Sequence, residues 1–377
     1  LHVRRSICSK HSSLWRCSSR PWSWLGLTPD LFNPHPSASP SRGFFVYGDQ
    51  MHNLYRNTLA FTGQKPWHKL GVQFDQEFTS AEAIAAARLD YPVTKEQLHR
   101  LRSDLGLGMT EPTDAYATIN GHTQDVLGIV GEGYEVLQNS EAFDFFDILL
   151  QESGGKLQTA GAIGKGEKVW MLAKLPEIFY PLAGDGVEKY LLGSTSHDGT
   201  MKTEVRFSSI RVVCQNTFNL AMNGSRGVIS IRHTSNMRQK LEMAAMVMLR
   251  YKEHFDIVGE HFSKLASVKI DDAWIDEYLE RTVGNPCNVS DGRGRTLMEN
   301  KIKLIQGRLH AGQGVDIPGV AGTAWWVLNA MVEHADYDMK AHGQSQDESR
   351  RTSSILWGRA ADFKQMAYDT AMAMVGS

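Results

Sequence analysis

Residues 157–175 read LQTAGAIGKGEKVWMLAKL, two short β-prone runs, Leu157–Ile163 and Glu167–Leu175, on either side of a Gly-Lys-Gly turn. Glycine supplies the positive φ that a tight hairpin turn needs. The device repeats downstream: Val187–Thr195, Lys202–Val213 and Gly227–His233 are further β-prone runs, separated in part by Gly-Asp-Gly and Asp-Gly turns. Together they predict a meander-like antiparallel sheet. Between the last two runs Thr217, Phe218 and Leu220–Met222 do not alternate, which predicts a short helix over Cys214–Met222.

Upstream, Thr79-Ser80-Ala81-Glu82 is a capping box that starts a short helix to about Leu89. Thr94-Lys95-Glu96-Gln97 repeats it and predicts a second helix with Leu98, Leu101 and Leu105 on one side. Ala115–Asn120 and Val126–Val130 read as a hairpin. Asn139 or Ser140 then caps a helix through about Gln151, with Phe143, Phe146 and Leu150 inward and Asp144 and Asp147 mostly outward.

Downstream the period becomes helical. Leu241, Met248, Phe255 and Phe262 recur at heptad spacing, as do Ala244, Tyr251, Val258 and Leu265. They predict one helix of roughly thirty residues, about 45 Å long. It lies across the sheet, or in addition meets its copy in another subunit; the stripe allows both. The glycine-rich stretch 284–322 reads as a mobile connector around one short helix near Leu297–Gly307. Helices around Ala324–His334 and Ser354–Met374 close the chain, the latter with Leu356, Ala360, Phe363 and Ala367 on one stripe. The predicted class is α+β: an antiparallel sheet of five to seven strands flanked by helices, then a long helix and a C-terminal helical region. Residues 51–233 form the sheet domain and 234–377 a helical region packed on it.

The first fifty residues differ from the rest. They mix Ser, Pro, Arg and Trp with no period, and their acids are Asp30 and Asp49 against Arg4, Arg5, Lys10, Arg16, Arg20 and Arg42. The expectation is a disordered leader outside the native protein, which starts at Met51; an organelle transit peptide is the alternative. Of four cysteines, Cys8 and Cys17 fall in this leader. Cys214 and Cys287 are far apart, which argues against a disulfide framework or structural zinc site and fits a reducing, cytoplasmic compartment. A net charge of -2 provides no global field for a polyanion. Every apolar run is far shorter than the roughly 18 residues of a membrane span.

Charge clusters locally instead. Lys202, Arg206, Arg211, Arg226, Arg232, Arg238 and Lys240, with His233 among them, meet one acid, Glu204. Lysine and arginine along strands and at a helix N-terminus can contact phosphates, or the same charges can guard a sheet edge. Arg206 and Arg211 are an odd number apart, so strand alternation sends them to opposite faces, and one is buried, unless a bulge lies at Ser208-Ser209. Trp67 and Tyr134 are candidates to stack bases, or pack in the core. His197-Asp198 beside His233, and His334 with Asp336 and Asp338, have metal-ligand chemistry, but neither carries a His-Glu-x-x-His spacing or a tight acidic cluster. Ser208 and Cys214 lack an adjacent base. No catalytic residue, resident metal or cofactor is expected.

Several patterns, in order, carry a family resemblance: Pro66-Trp67-His68-Lys69-Leu70-Gly71, Gly133-Tyr134-Glu135-Val136-Leu137-Gln138-Asn139, His197-Asp198-Gly199, Arg211-Val212-Val213-Cys214-Gln215-Asn216-Thr217, Ile231-Arg232-His233-Thr234, Gly322-Thr323 to Asn329-Ala330, and Gly358 to Ala367. From about Met51 onward the chain resembles the phage/plasmid-like protein family, the prokaryotic domain of unknown function nine-three-two. The resemblance implies a mobile-element setting and a distant likeness to single-strand annealing recombination proteins. With the basic cluster, it leads to an expected non-enzymatic protein that binds single-stranded DNA and anneals strands as a homo-oligomer. The alternatives are a metal-dependent hydrolase through His197, Asp198 and His233, and a structural or host-interaction protein.

Overall fold

The computed structural model describes residues 54–62, 72–101, 109–213, 216–218, 228–234, 236, 239, 251–339 and 348–376. The leader, Trp67, Arg226, Arg238, Lys240 and the first half of the predicted long helix lie outside the described residues. The Gly-turned runs form one sheet: β6 (Lys156–Ile163), β7 (Lys168–Leu182), β8 (Asp185–Ser196) and β9 (Thr203–Arg211) are successive antiparallel neighbours. Among the described residues, long-range pairing extends it to eight strands. On the β6 side are β1 (Leu54–Thr62), antiparallel to β6, and β2 (Val72–Phe74), parallel to β1. The free edge of β9 is shared by β10 (Asn216–Phe218), opposite Ser209–Arg211, and β11 (Val228–Ile231), opposite Thr203–Arg206. The short helix expected over Cys214–Met222 is thus corrected at Asn216–Phe218, where a strand satisfies backbone groups of β9 that would otherwise be unpaired.

A second correction falls at Thr94–Gln97. These residues lie in β3 (Val93–Leu101), which pairs with β4 (Thr110–Asn120), itself hairpinned to β5 (Val126–Gly131). Leu101 is 69% exposed, so a helix here had no apolar face to bury, whereas Val93 enters the core as a strand residue. The capping box at Thr79 does start a helix, α1 (Ser80–Ala86), with the Thr79 amide donating to Glu82 at 2.7 Å.

Among the described residues, two large apolar cores and smaller clusters result. In the first, α1 and α2 (Asn139–Ser153) cover the sheet, with Phe143 and Phe146 fully buried against residues such as Met171, Leu191 and Phe207. The second joins α3 (Tyr251–Ser267), α4 (Asp272–Thr282), α5 (Gly292–Ala311), α6 (Ala324–Glu333), α7 (Glu348–Trp357) and α8 (Arg359–Gly376) to Val187 of the sheet. The stretch 284–322 is therefore more than a connector, because α5 spans 20 residues and buries Ile302, Ile305 and Leu309. Within α3, Phe255 enters the first core while Val258, Phe262 and Leu265 enter the second, so one helix seals both. The single C-terminal helix divides at Gly358 into α7 and α8, and Leu356 and Trp357 of α7 pack with Ile163, Trp170 and Leu192. Among the described residues, no helix is long and apolar enough to cross a membrane.

Candidate nucleic-acid interface

Three of the sequence patterns converge where the three-stranded sheet meets the open end of β8, β9 and β11. His197, at the end of β8, is fully buried. Its backbone is fixed from both sides: its amide donates to the Glu167 carbonyl at 2.7 Å, and its carbonyl accepts from Thr118 Oγ1 at 2.6 Å. Gly128 of β5 lies so close to Asp198 that a Cβ there would sit 2.3 Å from its Cα, so only glycine allows this approach. Asn139 donates its Nδ2 hydrogen to the Leu89 carbonyl, which turns its Oδ1 toward His197 Nε2 at 2.9 Å. Nε2 therefore carries the hydrogen, and Nδ1 is left with no hydrogen-bond partner among the described residues. Burial, reinforced by nearby His233, pushes the His197 pKa down to about 3, so the ring is neutral at physiological pH.

His233 is buried beside it. Its Nδ1 donates to the Glu135 carbonyl at 3.2 Å while Glu135 donates its amide to the His233 carbonyl at 3.3 Å, and its Nε2 accepts from Thr203 Oγ1 at 3.2 Å. Burial holds its pKa below the ordinary value. Tyr134 stacks on this ring, centroids 4.8 Å apart and planes 16° from parallel, and its hydroxyl donates to the Ser196 carbonyl at 2.8 Å. One face of Tyr134 is thus occupied within the chain. Lys95, which the sequence did not single out, donates to the carbonyls of Glu132 and Tyr134 and lies 4.5 Å from the Tyr116 ring centroid.

The expected basic residues divide into distinct environments. Lys202 and Arg232 flank the last ladder pair, Thr203 and Ile231, so antiparallel register brings them to the same end of the sheet. Both are exposed, and neither has an ion pair among the described residues. Arg206 is half-buried and held by Glu204 on its own strand, at 2.6 Å from Nη2 and 2.9 Å from Nε. Arg211 is not available to a phosphate. It points the other way along an unbroken register through Ser208 and Ser209, is 1% exposed, and is paired with Asp185. The sequence had hidden Asp185 inside a Gly-Asp-Gly turn.

The expected metal-ligand clusters are engaged otherwise. Asp198 accepts from the Thr200 amide and hydroxyl and lies 3.9 Å from Lys168. Asp336 pairs with buried Lys364 at 2.8 Å, and Asp338 with Arg308 at 2.7 Å. Among the described residues, no group of three His, Cys, Asp or Glu could hold a metal ion.

The architecture is that of an α+β protein whose family patterns lock a small sheet and α2 onto the end of a large one. The chain belongs to the family described as Domain of unknown function (DUF932), whose model matches residues 126–357. That span contains Gly133–Asn139, His197–Gly199 and Ile231–Thr234, hence both histidines with Tyr134, Glu135 and Asn139, while Leu89 and Thr118 lie before it. No curated protein and no solved structure matches the chain.

Proposed function

We propose that this is a non-enzymatic DNA-handling protein of a phage- or plasmid-type mobile element, one that binds single-stranded DNA at the open end of β9 and β11 and anneals strands as a homo-oligomer. The observation that carries this reading is the adjacency of Lys202 and Arg232, exposed and without ion pairs among the described residues, beside Tyr134, which is partly exposed and stacked on buried His233. Two cations supply phosphate contacts, and the Tyr134 face turned away from His233 suits base stacking without regard to sequence. The buried histidines, neutral and hydrogen-bonded, act as a rigid support for this rim.

The test is a salt titration of oligonucleotide binding. Each lost phosphate contact flattens the log-log slope by about 0.7 for single strands, so Lys202→Ala and Arg232→Ala should each do so while leaving the fold intact. A parent slope of zero overturns the reading. We place the activity in the cytoplasm; cell fractionation tests this, and recovery of the protein outside the cytoplasmic fraction opposes it.

A further inference from the structure

The helix α5 has two apolar sides. Its inner side buries Ile302, Ile305 and Leu309 in the helical core. On its outer side Leu297 and Leu304, seven residues apart, are 62% and 49% exposed. Ala311 continues the same heptad line, and Gly307, one turn before it, has open space where a Cβ would be. A surface helix needs only its inward stripe. The outer one borders an open groove of about 650 Å³ that runs between α5 and Asp338. Large side chains followed by a small-residue hollow form the relief into which another helix packs knobs.

The charge on this helix selects the occupant. Arg293, Arg295, Lys301, Lys303 and Arg308 face one acid of the helix, Glu299. Arg308 is neutralised by Glu333 and Asp338, and Lys301 lies over Phe363 at 4.0 Å. Arg293 and Lys303 are exposed and have no ion pair among the described residues. A second copy docking α5 on α5 would bring Arg293 and Lys303, which have no ion pair among the described residues, against an equally basic helix whose one acid is Glu299, which disfavours that pairing. The exposed apolar side chains on this side of the helix, Leu297 and Leu304, are aliphatic, and the exposed ring nearby, Tyr337, lies 5.8 Å from the Arg308 guanidinium, whereas a single-strand platform needs free aromatic rings.

We infer that the outer face of α5 is a docking surface for an acidic amphipathic helix of a partner protein, its apolar residues seated on Leu297, Leu304 and the Gly307–Ala311 hollow and its carboxylates meeting Arg293 and Lys303. This is recognition of a helix in a groove, independent of the rim at Lys202 and Arg232.

The probe is a synthetic amphipathic helix of about three heptads with Leu on one stripe and Glu on both flanks, titrated into the full chain. Controls carry Lys in place of Glu, or Ala in place of Leu. The Leu/Glu helix should bind, and both controls should bind at least about tenfold more weakly. Lys303→Glu should weaken it by a similar factor, as should Leu304→Asp and, independently, Leu297→Asp; all three positions are exposed, so folding should survive. Binding that ignores these substitutions, or no binding of the Leu/Glu helix, overturns the proposal. So does self-association of the parent that Leu304→Asp abolishes, which would assign the face to a second copy. Oligonucleotide binding that Lys303→Glu abolishes, without peptide binding, would assign it to nucleic acid instead.

Discussion

Arg211 of β9 grips Asp185 of β8 with two hydrogen bonds, Nε to Oδ1 at 2.6 Å and Nη2 to Oδ2 at 2.8 Å, with both side chains buried. Trp325 Nε1 donates to the same Oδ2 at 2.8 Å, and Arg211 Nη1 donates to the Gln313 carbonyl at 3.1 Å. The pair therefore fastens the sheet to the start of α6 and the loop before it. A buried carboxylate is tolerated only when paired and hydrogen-bonded.

Arg211→Ala should accordingly destabilise the protein by about 3–5 kcal/mol, because it leaves the Asp185 charge uncompensated. Lys202→Ala should stay within about 0.5 kcal/mol. Urea denaturation of the two variants makes the comparison. Equal effects would mean that Arg211 is not the joint described.

Acid should weaken this fold through its histidines. Burial lowers His197 to about 3 and His254 to about 4, and holds His233 and His334 below the usual 6.5. Below pH 6.5 the unfolded chain takes up protons that the folded chain refuses, so stability falls as the pH drops. The slope is up to about 1.4 kcal/mol per pH unit for each such histidine, and the loss ends only below the folded values. Thermal midpoints at neutral pH and near pH 4.5 should show the drop, and His197→Gln should flatten it by one proton's share. A midpoint that rises on acidification would contradict the neutral, buried rings.

Glu204 sets the reach of the proposed DNA rim. Because it holds Arg206 within β9, Glu204→Gln should release that guanidinium beside Lys202 and Arg232. Binding of a single-stranded oligonucleotide should tighten, and its salt slope should steepen by about 0.7. An unchanged slope would show that Arg206 does not face the strand.

What the sequence revealed follows the range of the forces involved. The central strands were legible because glycine turns at 164–166, 184–186 and 198–199 are local signals. The Phe143, Phe146 and Leu150 stripe was legible because helical period is local too. The sequence reading missed β1 and β10, which exist because distant strands offer them partners: Phe61 sits opposite Thr159, and Thr217 opposite Ile210. At Thr94 the local capping signal lost to pairing with Ile119. In the site, alternation alone separated Arg206 from Arg211. That Arg211 was the buried one depended on Asp185 and Trp325, more than a hundred residues apart in sequence.

The long-helix stripe bears on the proposed homo-oligomer. Phe255 is 1% exposed, meets Phe207 edge-on at 5.2 Å, and has the Lys189 ammonium 5.4 Å from its ring centroid. Val258, Phe262 and Leu265 are likewise buried within the same chain. These four positions cannot also face a neighbour, so an oligomer must use other surfaces. Phe255→Ala should cost about 3–5 kcal/mol, the range for emptying a core aromatic site, and the loss should be the same at low and high protein concentration. Any concentration dependence of the parent's midpoint, which reports association by mass action, should persist in the variant. Thermal scans at two concentrations, paired with sedimentation of both proteins, read this directly. If Phe255→Ala abolished self-association while leaving the dilute protein as stable as the parent, Phe255 would belong to an interface, and its place in the core would be wrong.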